Sequence, residues 1–239
     1  MAKSIIHKAA TRGFANLGWL KSYHTFSFSG YYNPERIQFG ALRVLNDDTV
    51  DGGRGFGDHP HDNMEIISIP LSGELKHRDS MDNEAVIKPG EIQAMSAGTG
   101  IYHTEFNNNP NQAVKFLQIW LYPNKRNVQP RYDQVAINTT EKNVLHQILS
   151  PNADDAGVWI HQDAWFHTGQ LTADTTATYN IKKNGNGVYV FVISGDVTVN
   201  GQSLNERDGM GIWDIDALEI KADSDVQVLL MDVPMVVNV

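Results

Sequence analysis

Short runs of apolar residues recur along the chain, and each is bounded by residues that favour turns. Four runs have the composition of strands, at 65–69, 116–122, 188–193 and 226–231. Turn signals rich in Gly, Asn and Pro stand between them, at 89–90, 107–110, 184–187 and 200–201. Apolar spacing at the helical period is hard to find, whereas many short strands separated by such turns are typical of a sandwich or barrel. The pattern therefore predicts an all-β chain.

One β-unit recurs in the second half of the chain. An apolar run leads into Ser72-Gly73-Glu74, and another leads into Ser194-Gly195-Asp196. A second, looser match places Gly90 beside Gly209 at nearly the same offset. Two matches at nearly one offset favour an internal duplication over a chance likeness between two hairpins.

The duplication divides the chain into two predicted domains, an N-terminal domain at 1–130 and a C-terminal domain at 131–239. The boundary falls in the polar stretch 123–150. The chain has 239 residues, of which 41% are hydrophobic and 20% charged, which is the balance of an ordinary globular protein. We expect the two domains to pack as one body in a monomer.

Charge and cysteine content exclude several classes of protein. Lys and Arg number 19 against 28 Asp and Glu, so the formal net charge is −9 and direct binding to nucleic acid or an anionic membrane is not expected. The absence of cysteine excludes disulfides, thiolate-bound metals and a cysteine nucleophile. No apolar run approaches the ~20 residues of a membrane span, and the first residues lack an apolar stretch of signal-peptide length. The predicted location is the cytoplasm.

Two short motifs point to a metal site. His59 and His61 stand two residues apart between a glycine-rich segment and an apolar run, and His103 and Glu105 repeat that spacing. Residues i and i+2 of a strand project from the same face about 6–7 Å apart, so both members of a pair can reach one ion. Three neutral imidazoles and a carboxylate suit Fe, Mn, Co, Ni, Cu or Zn, and do not suit Ca, which prefers oxygen ligands.

The remaining histidines give weaker signals. Five have no comparable partner and are predicted to be ordinary core or surface residues: His7, His24, His146, His161 and His167. His77 stands in the charged segment 76–79, which predicts a solvated hairpin with His77 at most at the rim of a pocket. The glycines at 52–57 do not match a dinucleotide-binding fingerprint and no helical pattern follows them, so no nucleotide cofactor is predicted.

Together these motifs resemble those of the cupins, and more closely those of the pirin family. The segment 53–73, which contains His59, His61 and Glu65, is similar to the first cupin motif, and the segment 89–103 is similar to the second. Within them, His59-Pro60-His61 and the string 95–103, followed by Glu105, narrow the resemblance to pirins. It continues through 18–28, 41–48, 211–214 and 222–225, and is closest to bacterial pirin-like proteins with quercetin 2,3-dioxygenase activity.

The resemblance implies a bicupin, in which two cupin-type β-barrel or jelly-roll domains are stacked and the first holds one metal ion. The pirin ligands fall on His59, His61, His103 and Glu105. In the wider cupin superfamily the carboxylate ligand usually comes from the first motif, which here offers Glu65. Strand parity permits either carboxylate, and the resemblance to pirins favours Glu105, with Glu65 in a supporting or structural role.

The second copy of the repeat is predicted to lack a metal site. At the offsets of the two matches, His59, His61, His103 and Glu105 fall on Ile181, Lys183, Ala222 and Ser224. No metal-ligand set survives among these four residues. A structural domain or a partner surface is therefore expected at 131–239.

The resemblance also implies an activity. It is that of an oxidoreductase, a metal-dependent dioxygenase that opens the heterocyclic ring of flavonols such as quercetin with O2 and releases CO and a depside. The cofactor implied is one divalent transition metal ion, with iron first among Fe, Mn, Co, Ni, Cu and Zn, and Glu105 is the catalytic residue expected to take the proton of the flavonol 3-hydroxyl. The alternative implied by the same family is a redox-sensing regulator that binds a transcription factor or a metabolic enzyme.

Overall fold

The computed structural model describes residues 2–137 and 139–237, and β-strands make up most of this part of the chain. The only helix within these residues is a single 3₁₀ turn at Ala9–Thr11. None of the described residues belongs to a helix long and apolar enough to cross a membrane. The prediction of an all-β chain is confirmed.

Within the described residues, twenty-two strands follow one another with short connections. Those of the first half are β1 (Lys3–His7), β2 (Gly13–Asn16), β3 (Leu20–His24), β4 (Leu42–Val50), β5 (Gly55–His61), β6 (Glu65–Ser72), β7 (Leu75–Asp79), β8 (Glu84–Ile87), β9 (Glu91–Ser96), β10 (Ile101–Asn107) and β11 (Val114–Leu121). Those of the second half are β12 (Arg131–Ala136), β13 (Leu145–Ser150), β14 (Val158–Trp159), β15 (Trp165–Leu171), β16 (Thr176–Asn180), β17 (Asn186–Ser194), β18 (Val197–Val199), β19 (Gln202–Leu204), β20 (Gly209–Trp213), β21 (Ala217–Ala222) and β22 (Val226–Pro234).

The strands form two seven-stranded and two four-stranded sheets. One pair has the orders β12-β9-β6-β11-β4-β3-β2 and β5-β10-β7-β8, and we call it the first barrel. The other has the orders β1-β20-β17-β22-β15-β13-β14 and β16-β21-β18-β19, and we call it the second barrel. The central strands correspond one to one, β9-β6-β11-β4 with β20-β17-β22-β15 and β5-β10-β7-β8 with β16-β21-β18-β19. This shared topology supports the predicted internal duplication.

The register corrects the residue correspondence between the copies. The turn that holds Gly90 closes with a hydrogen bond from Glu91 N–H to Lys88 O, and its counterpart closes from Asp208 N–H to Asn205 O. Gly90 (φ 86°) therefore matches Arg207 (φ 66°), and not Gly209. The looser sequence match failed because this turn is reached after a shorter connection in the second copy.

Strand pairing then gives the second-barrel counterparts of the candidate ligands. We counted along the paired strands from Gly73 in the first copy and from Gly195 in the second. The residues equivalent to His59, His61, His103 and Glu105 are then Tyr179, Ile181, Leu218 and Ile220. These positions lie two residues earlier than predicted for the first pair and four residues earlier for the second. They carry a phenol and three aliphatic side chains, so the corrected register also yields no metal-ligand set.

Two strands cross the predicted domain boundary. At the start of the chain, β1 pairs with β20 of the second barrel, with Lys3 opposite Trp213. Beyond residue 130, β12 pairs with β9 of the first barrel, with Arg131 opposite Ser96. Each half thus supplies an edge strand to the large sheet of the other half. The division into domains at 1–130 and 131–239 remains a prediction.

The two large sheets pack face to face. One buried apolar cluster contains side chains from the outward faces of both sheets, among them Leu45, Ile67 and Leu117 of the first barrel and Phe191 and Leu229 of the second. Burial of this shared face is the main force that joins the barrels, because the hydrophobic effect scales with the apolar area removed from water.

The interiors of the barrels differ. A cluster of sixteen buried apolar side chains, including Val190, Leu218 and Ile220, packs inside the second barrel. The first barrel has two smaller clusters, one of six members that includes Leu75 and Phe116 and one of four members. Polar side chains occupy much of the remaining interior of the first barrel, and they build the site described below.

The second copy of the repeated turn leaves no space for a side chain at its glycine, Gly195. Gly195 has a φ of 79°, and a Cβ there would lie 2.3 Å from the carbonyl oxygen of Asp225, whereas Gly185 has a φ of 87° and nothing within 4 Å of a Cβ. Left-handed backbone strain of about 1–2 kcal/mol applies to alanine at both positions, but overpacking of about 1–3 kcal/mol applies only at Gly195. We expect Gly195→Ala to lower the free energy of unfolding by at least 1 kcal/mol more than Gly185→Ala in urea titrations. Equal losses would contradict the tight contact.

Candidate metal centre and cavity

Antiparallel pairing of β5 with β10 brings three histidines together. His103 lies directly opposite His59, and Ile101 lies opposite His61. The ring centroids are 4.3 Å apart for His59 and His103, 4.9 Å for His59 and His61, and 5.0 Å for His61 and His103. One ring nitrogen from each imidazole lies within 4.8 Å of the other two. This is the only such group of three or more potential ligands among the described residues.

The hydrogen bonding of these rings leaves nitrogens free for an ion. His59 Nδ1 donates to the carbonyl oxygen of Gly57 at 2.8 Å, which fixes the tautomer with a bare Nε2. His61 Nε2 and both nitrogens of His103 are buried without a hydrogen-bond partner in the part of the chain that the structure describes. Buried polar groups are rarely left unpaired, so convergent unpaired imidazole nitrogens fit a transition metal ion.

The pKa values of two of the three imidazoles are lowered, which favours their neutral form. Burial, followed by the neighbouring imidazoles His59, His61 and His77, lowers the pKa of His103 to about 2. Burial, followed by His59, lowers the pKa of His61 to about 4. Both rings are therefore neutral at pH 7, which is the form that binds metals.

Glu105 lies beside the imidazole group without being a member of it. It follows His103 by two residues on β10, and a register shift in the pairing with β5 places it opposite Phe56. Its carboxylate oxygen Oε1 accepts a hydrogen bond from Ser68 Oγ at 3.2 Å. Burial raises the pKa of Glu105 to about 7, against the opposing hydrogen bonds from Ser68 and Gln118.

Glu65, the alternative carboxylate, has other partners. Ser96 Oγ donates to Glu65 Oε2 at 2.6 Å, and the backbone N–H of His161 also donates to this carboxylate. His161 belongs to the connection between β14 and β15, so Glu65 ties that connection to the first barrel. Burial raises the pKa of Glu65 to about 7, although Ser96 and the nearby Arg131 lower it.

The segment 76–79 lies in a hairpin of β7 and β8, as predicted, but His77 is buried, so the prediction that this hairpin is solvated is wrong. The segment forms most of β7, in which Lys76 and Arg78 point outward while His77 and Asp79 point inward. His77 Nε2 lies 3.0 Å from Asp79 Oδ2, and its ring is 5.4 Å from that of His103. The charged side chains of this segment suggested exposure to solvent. Its sequence also has the two-residue alternation of a strand, since every second residue from Leu75 faces inward.

One member of the imidazole group, His59, lines a cavity of about 690 Å³. Its lining includes His59 and Glu105, together with apolar and aromatic side chains: Leu17, Trp19, Leu20, Phe28, Phe56, Phe116 and Trp120. The polar part of the lining includes Ser22, His24, Asn46, Asp48 and Gln118. Sequence reasoning missed these polar residues, because each lies on a strand far along the chain from the histidine motifs.

The other histidines lie outside the imidazole group. His7 Nδ1 bonds to Tyr189 Oη at 2.9 Å in the contact between the barrels, and His146 Nε2 is 2.8 Å from the carbonyl oxygen of Glu141. His167 is buried in the second barrel with its ring 4.9 Å from that of Tyr179. His24 departs from the prediction of an ordinary core residue, because it lines the cavity.

Comparisons with known proteins agree with the fold. The Pirin family model matches residues 7–121, and the model described as the quercetinase C-terminal cupin domain matches 147–233. The chain is 43% identical over 231 residues to the quercetin 2,3-dioxygenase of Escherichia coli K12, covering 97% of this chain and 99% of that protein. It is 38% identical over 222 residues to a pirin-like protein of Caulobacter vibrioides, covering 92% and 95%.

A solved structure extends the comparison to three dimensions. The crystal structure of bacterial pirin YhhW in complex with nickel(II), from Escherichia coli, superposes with a TM-score of 0.93 at 42% identity. The match covers 98% of this chain and 100% of that chain. The predicted bicupin fold is thereby confirmed.

The arrangement of the three imidazoles predicts that the protein binds one transition metal ion. We expect wild-type protein to bind close to one nickel ion per chain, and His59→Ala, His61→Ala and His103→Ala each to lose most of that binding. Metal at a hundredfold excess over its dissociation constant should raise the wild-type free energy of unfolding by about 2.7 kcal/mol. Metal analysis after dialysis and thermal unfolding provide the measurements. His146→Ala, on a half-buried histidine outside the group, is the control, and retention of full binding by the three variants would contradict the assignment.

The pKa of Glu65 predicts a dependence of stability on pH. Its folded-state pKa of about 7 is raised from the ordinary 4.5, so between these values the folded protein holds a proton that the unfolded chain has released. This stabilisation is complete below pH 4.5 and is lost as the pH rises through 7. In metal-free protein, Glu65→Gln should reduce the loss of unfolding free energy between pH 5 and 7.5 by on the order of 1–3 kcal/mol. Parallel pH profiles for the two proteins would contradict the prediction.

Proposed function

Because this chain belongs to the pirin family, we propose that it is a metal-dependent dioxygenase that opens the heterocyclic ring of a flavonol such as quercetin. The observation that carries the proposal is the set of unpaired imidazole nitrogens at the edge of a cavity walled by aromatic side chains. The relatives named quercetin 2,3-dioxygenase support the choice of substrate class. We propose the cytoplasm as the place of action.

His59, His61 and His103 would hold the metal ion, with Glu105 as the fourth ligand. Three imidazoles and a carboxylate accept most of the first-row series, and we keep iron as the first candidate beside nickel, the metal in the related structure. When bound, the ion supplies Lewis acidity that favours the deprotonated 3-hydroxyl of the flavonol.

Glu105 would take the proton of that hydroxyl. Its raised pKa of about 7 suits proton transfer near neutral pH, and a bound cation would lower that pKa again. Ser68 has one hydroxyl proton and lies 3.2 Å from Glu105 Oε1 and 2.9 Å from Gln118 Oε1. When Ser68 donates to Gln118, a protonated Glu105 can complete the other contact, so the site accommodates both forms of the carboxyl group.

The aromatic wall would orient the substrate and exclude water. Trp19 packs edge-on against Phe56 at 5.4 Å, and Phe28 packs edge-on against Trp120 at 5.3 Å. Trp120 in turn lies 4.9 Å from His61. A planar aromatic ligand between these rings would have its reacting edge at the imidazole group.

The overall reaction balances without a further reductant. One flavonol and one O2 yield one depside and one CO. Both atoms of O2 enter the depside, the ring carbon that carried the 3-hydroxyl leaves as CO, and the proton held by Glu105 returns to the product carboxyl group. The depside is the single organic product.

Substitution of Glu105 separates its two proposed roles. General acid–base catalysis contributes about 10²–10⁴ in rate, so Glu105→Gln should lower kcat for quercetin by at least 100-fold while retaining most of the bound metal. The assay is quercetin consumption with CO detection in air, using protein reloaded separately with Fe, Mn, Co, Ni or Cu. Equal losses of turnover and metal would reduce Glu105 to a ligand.

His59→Ala is the control that should lose metal and turnover together. Absence of turnover with every metal, despite stoichiometric binding, would overturn the proposed activity.

A further inference from the structure

A row of polar side chains crosses the large sheet of the first barrel. The register places six of them at paired positions on neighbouring strands: His24 on β3, Asn46 on β4, Gln118 on β11, Ser68 on β6, Gln93 on β9 and Gln134 on β12. Asp48 follows Asn46 by two residues on the same face and lies opposite Ser22 of β3. At the equivalent positions the second barrel carries Met210, Val190 and Leu230, with His167 in the place of Asn46.

The two ends of this row differ in how their polar atoms are satisfied. Toward β12 the partners are protein groups, since Ser68 Oγ lies 2.9 Å from Gln118 Oε1 and Gln134 Nε2 donates to Val86 O at 3.0 Å. Toward β3, the atoms His24 Nδ1, Asn46 Oδ1 and Asp48 Oδ1 are buried and have no hydrogen-bond partner within residues 2–137 and 139–237. Unpaired buried polar atoms are costly, so three in one patch indicate a binding surface more than a packing defect.

This patch lines the same cavity as the imidazole group but is separate from it. His24, Asn46 and Asp48 share the cavity wall with Trp19 and Phe28, and none of the three belongs to the imidazole group. A ligand whose reacting edge lies at the imidazoles would therefore reach this wall with another part of its structure.

We propose that His24, Asn46 and Asp48 form a specificity subsite for the hydroxyl groups on the flavonol rings that do not react. The inference rests on the proposed function, which supplies the class of ligand, and it adds the residues that select among flavonols. Two of the three unpaired atoms are oxygens, which accept the hydrogen bonds that phenolic hydroxyls donate. The aromatic side chains of the cavity would contact the ring faces, and this patch would contact the ring edge.

The spacing of the acceptors fits a ligand with several hydroxyl groups. Asn46 and Asp48 are separated by two residues on one strand, so their Cα atoms are about 6–7 Å apart. They can accept from two hydroxyls of one ligand, while the His24 ring across the strand pair meets a third group in either tautomer. A flavonol without these hydroxyls would leave the acceptors unpaired, and sites built around hydrogen bonds reject such analogues strongly.

The test compares the affinities of two flavonols in the absence of turnover. Quercetin carries hydroxyls on the rings that do not react, whereas 3-hydroxyflavone retains the ring system and the 3-hydroxyl alone. Each is titrated anaerobically into nickel-loaded protein and followed by quenching of tryptophan fluorescence, because Trp19 and Trp120 lie in the cavity wall. We expect wild-type protein to bind quercetin at least about tenfold more tightly.

The variants remove one acceptor at a time with little change in size. Asn46→Leu and Asp48→Leu should each reduce the preference for quercetin to about two- to threefold without weakening the binding of 3-hydroxyflavone. Asp48→Asn keeps an acceptor oxygen and should retain most of the preference. Gln93→Leu makes the same kind of change in the same row outside the cavity lining, and should leave the preference unchanged.

The outcomes distinguish this inference from the function on which it rests. Equal affinity of wild-type protein for both flavonols, with metal-dependent turnover intact, would overturn the subsite alone. An unchanged preference in both leucine variants would also overturn it. Failure of both flavonols to bind, together with absence of turnover, would overturn the subsite and the proposed function together.

Discussion

The in-register pairing of β10 with β5 is the constraint on which the site depends. It sets His103 opposite His59, and the two-residue period of β5 adds His61 on the same face. The carbonyl oxygen of Gly57, two residues before His59, accepts from His59 Nδ1 and turns the other nitrogen of that ring toward the group. A slip of one residue would direct these side chains to the opposite face of the sheet, so the same hydrogen bonds that hold the small sheet together specify the geometry of the imidazoles.

The duplication explains why one barrel can hold such a site while the chain remains stable. Tyr179, Leu218 and Ile220 stand where the first barrel has His59, His103 and Glu105, in an interior that is mostly apolar. The large sheet of that second barrel packs on the large sheet of the first through a shared apolar face, and β1 and β12 exchange between the halves. The first barrel is thus supported from outside, and its interior is released from the requirement to be an apolar core.

The part of the site that could be predicted from the sequence consists of residues in short local motifs. His59, His61 and His103 stand in short segments whose spacing already implies one face of a strand, and the turns and apolar runs indicated the all-β fold. Residues joined only by long-range pairing could not be predicted, because nothing near Asn46 in the sequence shows that β4 lies between β3 and β11. Strand parity left Glu65 and Glu105 equivalent. In the structure Glu65 contacts Ser96 and His161, whereas Glu105 lines the cavity.

The polar interior has a consequence for the energetics of the fold. Burial raises the pKa of Asp48, Glu65 and Glu105 to about 7, and several imidazole nitrogens are unpaired, so the first barrel carries desolvated groups that destabilise it. Such groups are retained where a ligand or an ion satisfies them, because binding to the folded state alone stabilises that state. The patch at His24, Asn46 and Asp48 obeys the same logic as the imidazoles, since a metal ion can satisfy one set and hydroxyl groups the other. Stability and ligand binding are therefore coupled through this interior.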